Sequence, residues 1–186
     1  MRNENIKKMV LAALFVALGL VLPFLTGQIP TIGQMLLPMH LPIFLCALIC
    51  GWKYGLAVGL ILPVLRSMLF TIPPMYPMAL SMAFECGTYG FVAGFLYEKT
   101  TTQSLKTVYT SMLPAMLVGR IVWGVAMALL LGFRGGSFGF NAFIAGAFVN
   151  AVPGIILQLI LIPLLMVALD KAGVVSFRRT SMIRSN

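Results

Sequence analysis

Long apolar runs separated by short polar stretches rich in Gly and Pro set the pattern of this chain. The first run is Met9 to Leu25, followed by a polar, Pro-containing stretch from Thr26 to Pro38. Leu41 to Gly51 is short for a span; it is expected to recruit residues from Leu36 onward, or to sit tilted and partly covered by neighbours. Tyr54 to Phe70 is the third run, closed by the turn-rich segment from Thr71 to Pro77. Met78 to Tyr97 is the fourth, ended by Glu98 to Gln103, and Val108 to Leu131 the fifth, broken by Gly132 to Ser137. The sixth, Phe140 to Leu169, is long enough for Pro153 or Pro163 to kink it while neighbouring helices satisfy the freed backbone groups. About 20 apolar residues cross the hydrocarbon region as a helix, so six such runs consume most of the chain and leave only short loops. The pattern predicts an all-α membrane protein, a compact bundle of about six transmembrane helices forming one domain over residues 1–186. No alternating polarity of the kind a membrane barrel requires is present, and no convincing internal repeat points to an inverted-repeat transporter.

Composition agrees: 60% hydrophobic and 9% charged residues with mean hydropathy +1.02 exceed what a soluble core needs. The formal net charge of +9 reads as a topology signal rather than a nucleic-acid footprint. With the N-terminus cytoplasmic, Arg2, Lys7, Lys8, Lys53, Lys99, Lys106, Lys171, Arg178, Arg179 and Arg184 all fall inside, and Arg134 lies in an outer loop. Both termini are therefore expected in the cytoplasm. Arg2, Lys7 and Lys8 before an apolar run resemble a signal peptide, but the run is long and no small-x-small cleavage site follows, so it is expected to be a retained first helix. Cys46, Cys50 and Cys86 lie inside spans without C-x-x-C spacing and read as packing residues.

Against this background Arg66, Glu85 and Arg120 stand out, because each interrupts an apolar span. A charge at membrane depth costs at least about 2.5–3.5 kcal/mol and is normally found facing a protein interior or a water-filled pocket with a partner. Arg66 is expected about 6 Å below the outer end of its span and Glu85 about 12 Å deep, with Arg120 deeper and Asn150 near the level of Glu85. Gln34 and His40, from the first outer connection, join them in the outer half. Two arginines against one carboxylate leave a positive charge that an anionic solute would match, Glu85 being the expected internal partner of Arg66 and Arg120 the group expected to reach the solute. The competing reading is a buried Arg66–Glu85 ion pair of purely structural meaning. His40, flanked by Pro38 and Pro42, equally suits capping a helix near the interface. Tyr76, Tyr89, Trp123 and Phe148 offer apolar or stacking walls, with ordinary bundle packing as the plainer role.

An enzyme would need a nucleophile, metal cluster or acid–base pair, and Glu85 beside arginines with His40 makes a poor catalytic set. No phosphate loop or metal-ligand cluster is visible, and no cofactor is expected. A small membrane enzyme and a structural or sensory subunit remain the alternatives to a solute-binding protein.

Small residues recur four apart at Ala13/Ala17, Gly55/Gly59 and Gly90/Gly94, a spacing that lets another helix backbone approach closely. Taken with Gly33-Gln34-Met35-Leu36-Leu37-Pro38-Met39-His40-Leu41-Pro42, Gly51-Trp52-Lys53-Tyr54-Gly55 and the stretch from Pro63 through Arg66 to Pro77, the whole chain resembles the substrate-binding S component of energy-coupling factor vitamin transporters. The resemblance implies a multi-pass protein of a prokaryotic cell membrane that captures a vitamin or related micronutrient near the outer face, the first and third outer connections acting as lids. It implies docking through Ala13 and Ala17 on a scaffold membrane subunit that couples to two cytoplasmic ATPases, and delivery by toppling of the bundle. Substrate contacts are then expected from Gln34, His40, Arg66, Tyr76, Glu85, Arg120 and Asn150, with pantothenate the leading solute and a folate or nicotinate also fitting.

Overall fold

The structure, a computed structural model, describes residues 2–25, 37–136, 138–173 and 175. Its helices are α1 (Arg2–Leu25), α2 (His40–Cys50), α3 (Trp52–Phe70), α4 (Leu80–Lys99), α5 (Leu105–Gly132), the short α6 (Phe140–Ile144) and α7 (Val152–Lys171). A wider turn at Met75–Ala79 leads into α4, and another at Ala145–Val149 joins α6 towards α7. Five segments, Asn3–Phe24, Trp52–Phe70, Met75–Lys99, Leu105–Gly132 and Phe140–Lys171, are long and apolar enough to cross a membrane, and the described residues contain no strand. The fold is thus an all-α membrane bundle, as the run pattern predicts. Residues 26–36, Arg178, Arg179 and Arg184 lie outside the described residues.

The second run takes the second of its two expected forms, a short helix covered by its neighbours. It gains nothing from the residues before it: 37–39 form a turn, Leu37 sits in the left-handed region at φ 48, and the helix starts at His40. With 11 residues, α2 is about 16 Å long, roughly half the hydrocarbon thickness. It is buried almost throughout because α1, α3, α4 and α7 surround it.

Close contacts fix how the other helices pass one another. A Cβ on Gly59 would lie 2.2 Å from the Cys86 carbonyl oxygen, one on Gly90 2.1 Å from the Gly55 carbonyl oxygen, and one on Gly94 2.6 Å from Trp52 Cα. The two glycine pairs therefore face each other across an antiparallel α3–α4 contact where backbones touch. Parallel to α3 runs α1, with Tyr54 Oη donating to the Asn5 carbonyl at 3.4 Å and Gly19 lying beneath the Leu62 side chain. Along the inner half of α4 lies α2: Phe44 stacks on Tyr89 at 5.1 Å, and the Glu98 carboxylate covers Gly51, whose φ of 100 turns the chain into α3. The N-terminus of α2 consequently sits inside the bilayer at the level of Glu85.

The last span is interrupted at residues 145–151, immediately before Pro153, which occupies the first turn of α7 where its missing N–H is harmless. Pro163 lies within α7 without ending it. Gly124 under the Phe143 ring and Gly146 against Trp123 seat this broken segment on the outer half of α5. Buried apolar residues form a large core around α2 and a smaller one of Trp123, Met127 and Ala147. On α5, Arg120 falls between the two.

Candidate functional site

Glu85 on α4 and Arg120 on α5 face each other because these helices run antiparallel and close, with Gly119 lying directly under the Tyr89 ring. Arg120 Nη1 is 2.9 Å from Glu85 Oε1, and Tyr89, one turn along α4, donates its hydroxyl to the same oxygen at 2.6 Å. His40, the first residue of α2, places Nε2 4.0 Å from Glu85 Oε2 and its ring 5.4 Å from that of Tyr89. Relative exposure is 1% for His40, 2% for Glu85 and 5% for Arg120, so the group is held away from solvent. The ion pair offsets part of the cost of placing both charges there, and the tyrosine adds a charge-assisted bond.

Not every polar atom of the group is matched. Arg120 Nε and both ring nitrogens of His40 are buried without a hydrogen-bond partner among the described residues. A buried polar atom left unpaired costs on the order of 1–3 kcal/mol. Arg120 Nε is thus an open donor, and with His40 Nε2 turned towards Glu85 Oε2 the other ring nitrogen of His40 is left open beside the carboxylate. At the start of α2 the His40 N–H is already taken by the Leu37 carbonyl and Pro42 has none, so Leu41 is left as the one N–H donor of the first three residues. Leu37, in the turn before α2, accepts from His40 N at 3.0 Å and from Gln158 Nε2 at 3.5 Å, which ties that turn to α7. Apolar walls stand one turn outward of the charges, Met82 beyond Glu85 and Trp123 beyond Arg120.

Two expectations need correction, and one pair of alternatives is decided. Glu85 is paired with Arg120, not with Arg66. In the α3–α4 register Arg66 stands opposite the start of α4, some six residues and about 9 Å outward of Glu85. Its guanidinium turns to α1 instead, donating to the Leu20 carbonyl at 2.8 Å between the rings of Phe24 (5.4 Å) and Phe70 (5.5 Å). His40 is not near the interface: the late start of α2 carries it to mid-depth. The second helix takes nothing from the residues before His40, because the positive φ of Leu37 ends any helical continuation.

Tyr76 lies further out, its hydroxyl donating to the Leu130 carbonyl near the end of α5 and its ring beneath Arg134 at 4.4 Å. Asn150 is exposed at the interruption of the last span, where its backbone N–H bonds the Ala145 carbonyl at 2.9 Å. Gln34 and the Phe148 side chain lie outside the described residues. Tyr89 joins the charged group, and its position four residues after Glu85, on the same helix face, was the available signal. Ala13 and Ala17 are exposed, as are Val10, Leu14 and Val21, whereas Ala12, Phe15 and Gly19 turn inward.

A family model described as ECF transporter, substrate-specific component matches residues 7–166. No curated protein and no solved structure matches the chain.

Proposed function

The chain belongs to the family of ECF transporter substrate-specific components, and we propose that it captures a vitamin or related micronutrient bearing an acid group at the His40–Glu85–Arg120 cluster. Membership makes it a multi-pass membrane transport subunit that binds substrate, not an enzyme, and one that works with ECF scaffold and ATPase partners. The observation carrying the solute assignment is the set of unmatched buried atoms, Arg120 Nε and the two His40 nitrogens, beside a carboxylate already engaged by Arg120 and Tyr89. An acid group accepts from Arg120 Nε, a charged donor with no partner of its own. The His40 acceptor suits a hydroxyl or amide on the same molecule. Pantothenate carries all three functions and is the first solute to test.

In this reading His40, Glu85 and Arg120 form the floor. Tyr76 and Asn150 belong to the outer rim, and Arg66 holds α1 against α3 beside that rim. Docking on the scaffold subunit uses the exposed Ala13–Ala17 face of α1, where small side chains permit close helix approach.

Mass spectrometry of small molecules carried through purification identifies the solute without presupposing it. Arg120→Ala, and the neutral double variant Arg120→Met with Glu85→Gln, are each expected to weaken binding by at least about a hundredfold, as loss of a charged hydrogen-bonding partner does. The double variant leaves no unpaired buried charge, so unchanged affinity in it rules out the floor assignment.

A further inference from the structure

On the face of α4 turned away from Glu85, a groove of about 350 Å³ runs between α3 and α4, lined by Leu56, Leu60, Phe84, Gly87, Thr88 and Phe91. It owes its depth to Gly87, where a Cβ would come within 2.8 Å of the Leu60 side chain. Phe84 and Phe91 are exposed on its wall while Glu85 and Tyr89 are buried, so the groove faces outward from the bundle and is separate from the polar cluster.

Its inner end continues into an aromatic ladder. Phe91 stacks on Phe95 at 5.8 Å and meets Trp52 edge-on at 5.4 Å. Each end of that ladder carries an exposed lysine: Lys53 Nζ lies 5.6 Å from the Trp52 ring and Lys99 Nζ 5.8 Å from the Phe95 ring. Two cations thus flank the mouth of an apolar channel on the side bearing the basic loops. Gly87 lies 12 residues from Lys99, about 18 Å along α4, close to the depth of one leaflet at about 15 Å.

We propose that this groove holds an acyl chain of an anionic phospholipid whose phosphate is gripped by Lys53 and Lys99. The ladder spans the distance between head group and groove, and Trp52 at the mouth is the side chain type that favours the lipid–water boundary. Charge complementarity selects the lipid: a zwitterionic head group returns to the lysines a repulsive choline for every phosphate, whereas an anionic one does not. The site is independent of the solute assignment.

Native mass spectrometry of the purified protein titrated with phosphatidylglycerol or phosphatidylcholine tests it. Adduct formation is expected to favour phosphatidylglycerol by at least about fivefold at low salt. Lys53→Gln with Lys99→Gln should bring the two lipids to parity, and Gly87→Leu should reduce adducts of both while an unchanged helical circular-dichroism spectrum and elution volume report an intact fold. Equal binding of both lipids by the unaltered protein, or an unchanged preference in the double lysine variant, overturns the proposal. So does loss of scaffold co-purification in the lysine variant with lipid adducts untouched, since the groove would then be a protein interface.

Discussion

Glu85 Oε1 receives both Arg120 and Tyr89, while Oε2 faces only His40. Glu85→Gln can therefore keep both donors on its amide oxygen and turn its NH2 towards the His40 ring, which removes the charge with little change of shape. Arg120 then stands uncompensated, a state that costs about 3–5 kcal/mol for a buried partner and should lower thermal stability. An acid-bearing solute restores the missing charge. Its affinity is expected to rise by at least about threefold, since a unit charge several ångströms away is worth kilocalories even at an effective dielectric of 20. Titration calorimetry with the solute found by mass spectrometry decides the sign: weaker binding in Glu85→Gln means a cationic or neutral group contacts the site. The identity of these charged residues was legible in the sequence, because carboxylates and guanidiniums inside apolar runs are conspicuous. Which arginine takes the carboxylate was not, because depth along each helix leaves open the register and facing of α3, α4 and α5.

At the scale of elements, the α3–α4 contact is the seam of the bundle. Gly59 and Gly90 bring carbonyl oxygens of the opposite helix to where a side chain would begin, so backbone, not a flexible side-chain end, must move if a methyl is added. Gly59→Ala is expected to cost about 1–3 kcal/mol by overpacking and to lower the unfolding temperature in detergent by about 3–10 °C. Gly132→Ala, with nothing within 4 Å of the added carbon, serves as the control and should leave the transition in place. Equal transitions in the two variants would show that α3 and α4 do not touch at Gly59. The small-residue spacing announced this seam in the sequence. The start of α2 had no such signal: Leu37 holds a conformation normally left to glycine or asparagine, and nothing in its side chain predicts that. Hence the shortness of the second run was readable, and the descent of His40 to mid-depth was not.

Seen whole, the bundle treats its first helix differently from the rest. The buried stripe Ala12, Phe15 and Gly19 engages α3 and the core, while Val10, Leu14 and Val21 stay exposed beside Ala13 and Ala17. A lipid-facing surface has no need of small residues, since acyl chains fill around large side chains equally well. Alanines four apart matter only where another backbone comes near, because van der Waals packing at short range replaces the hydrophobic effect inside a membrane. The proposed solute cluster lies on α2, α4 and α5 and the proposed docking face on α1, so the two functions are expected to separate on mutation. Ala13→Leu and Ala17→Leu add bulk to an open face and should leave solute affinity within about threefold, the usual range for surface substitutions. Co-purification with the scaffold subunit should fall by at least about tenfold, because each added side chain holds the helices apart where dispersion contacts are steepest with distance. Full complex formation in both variants would return the alanine pair to lipid contact and move the docking surface elsewhere on the bundle.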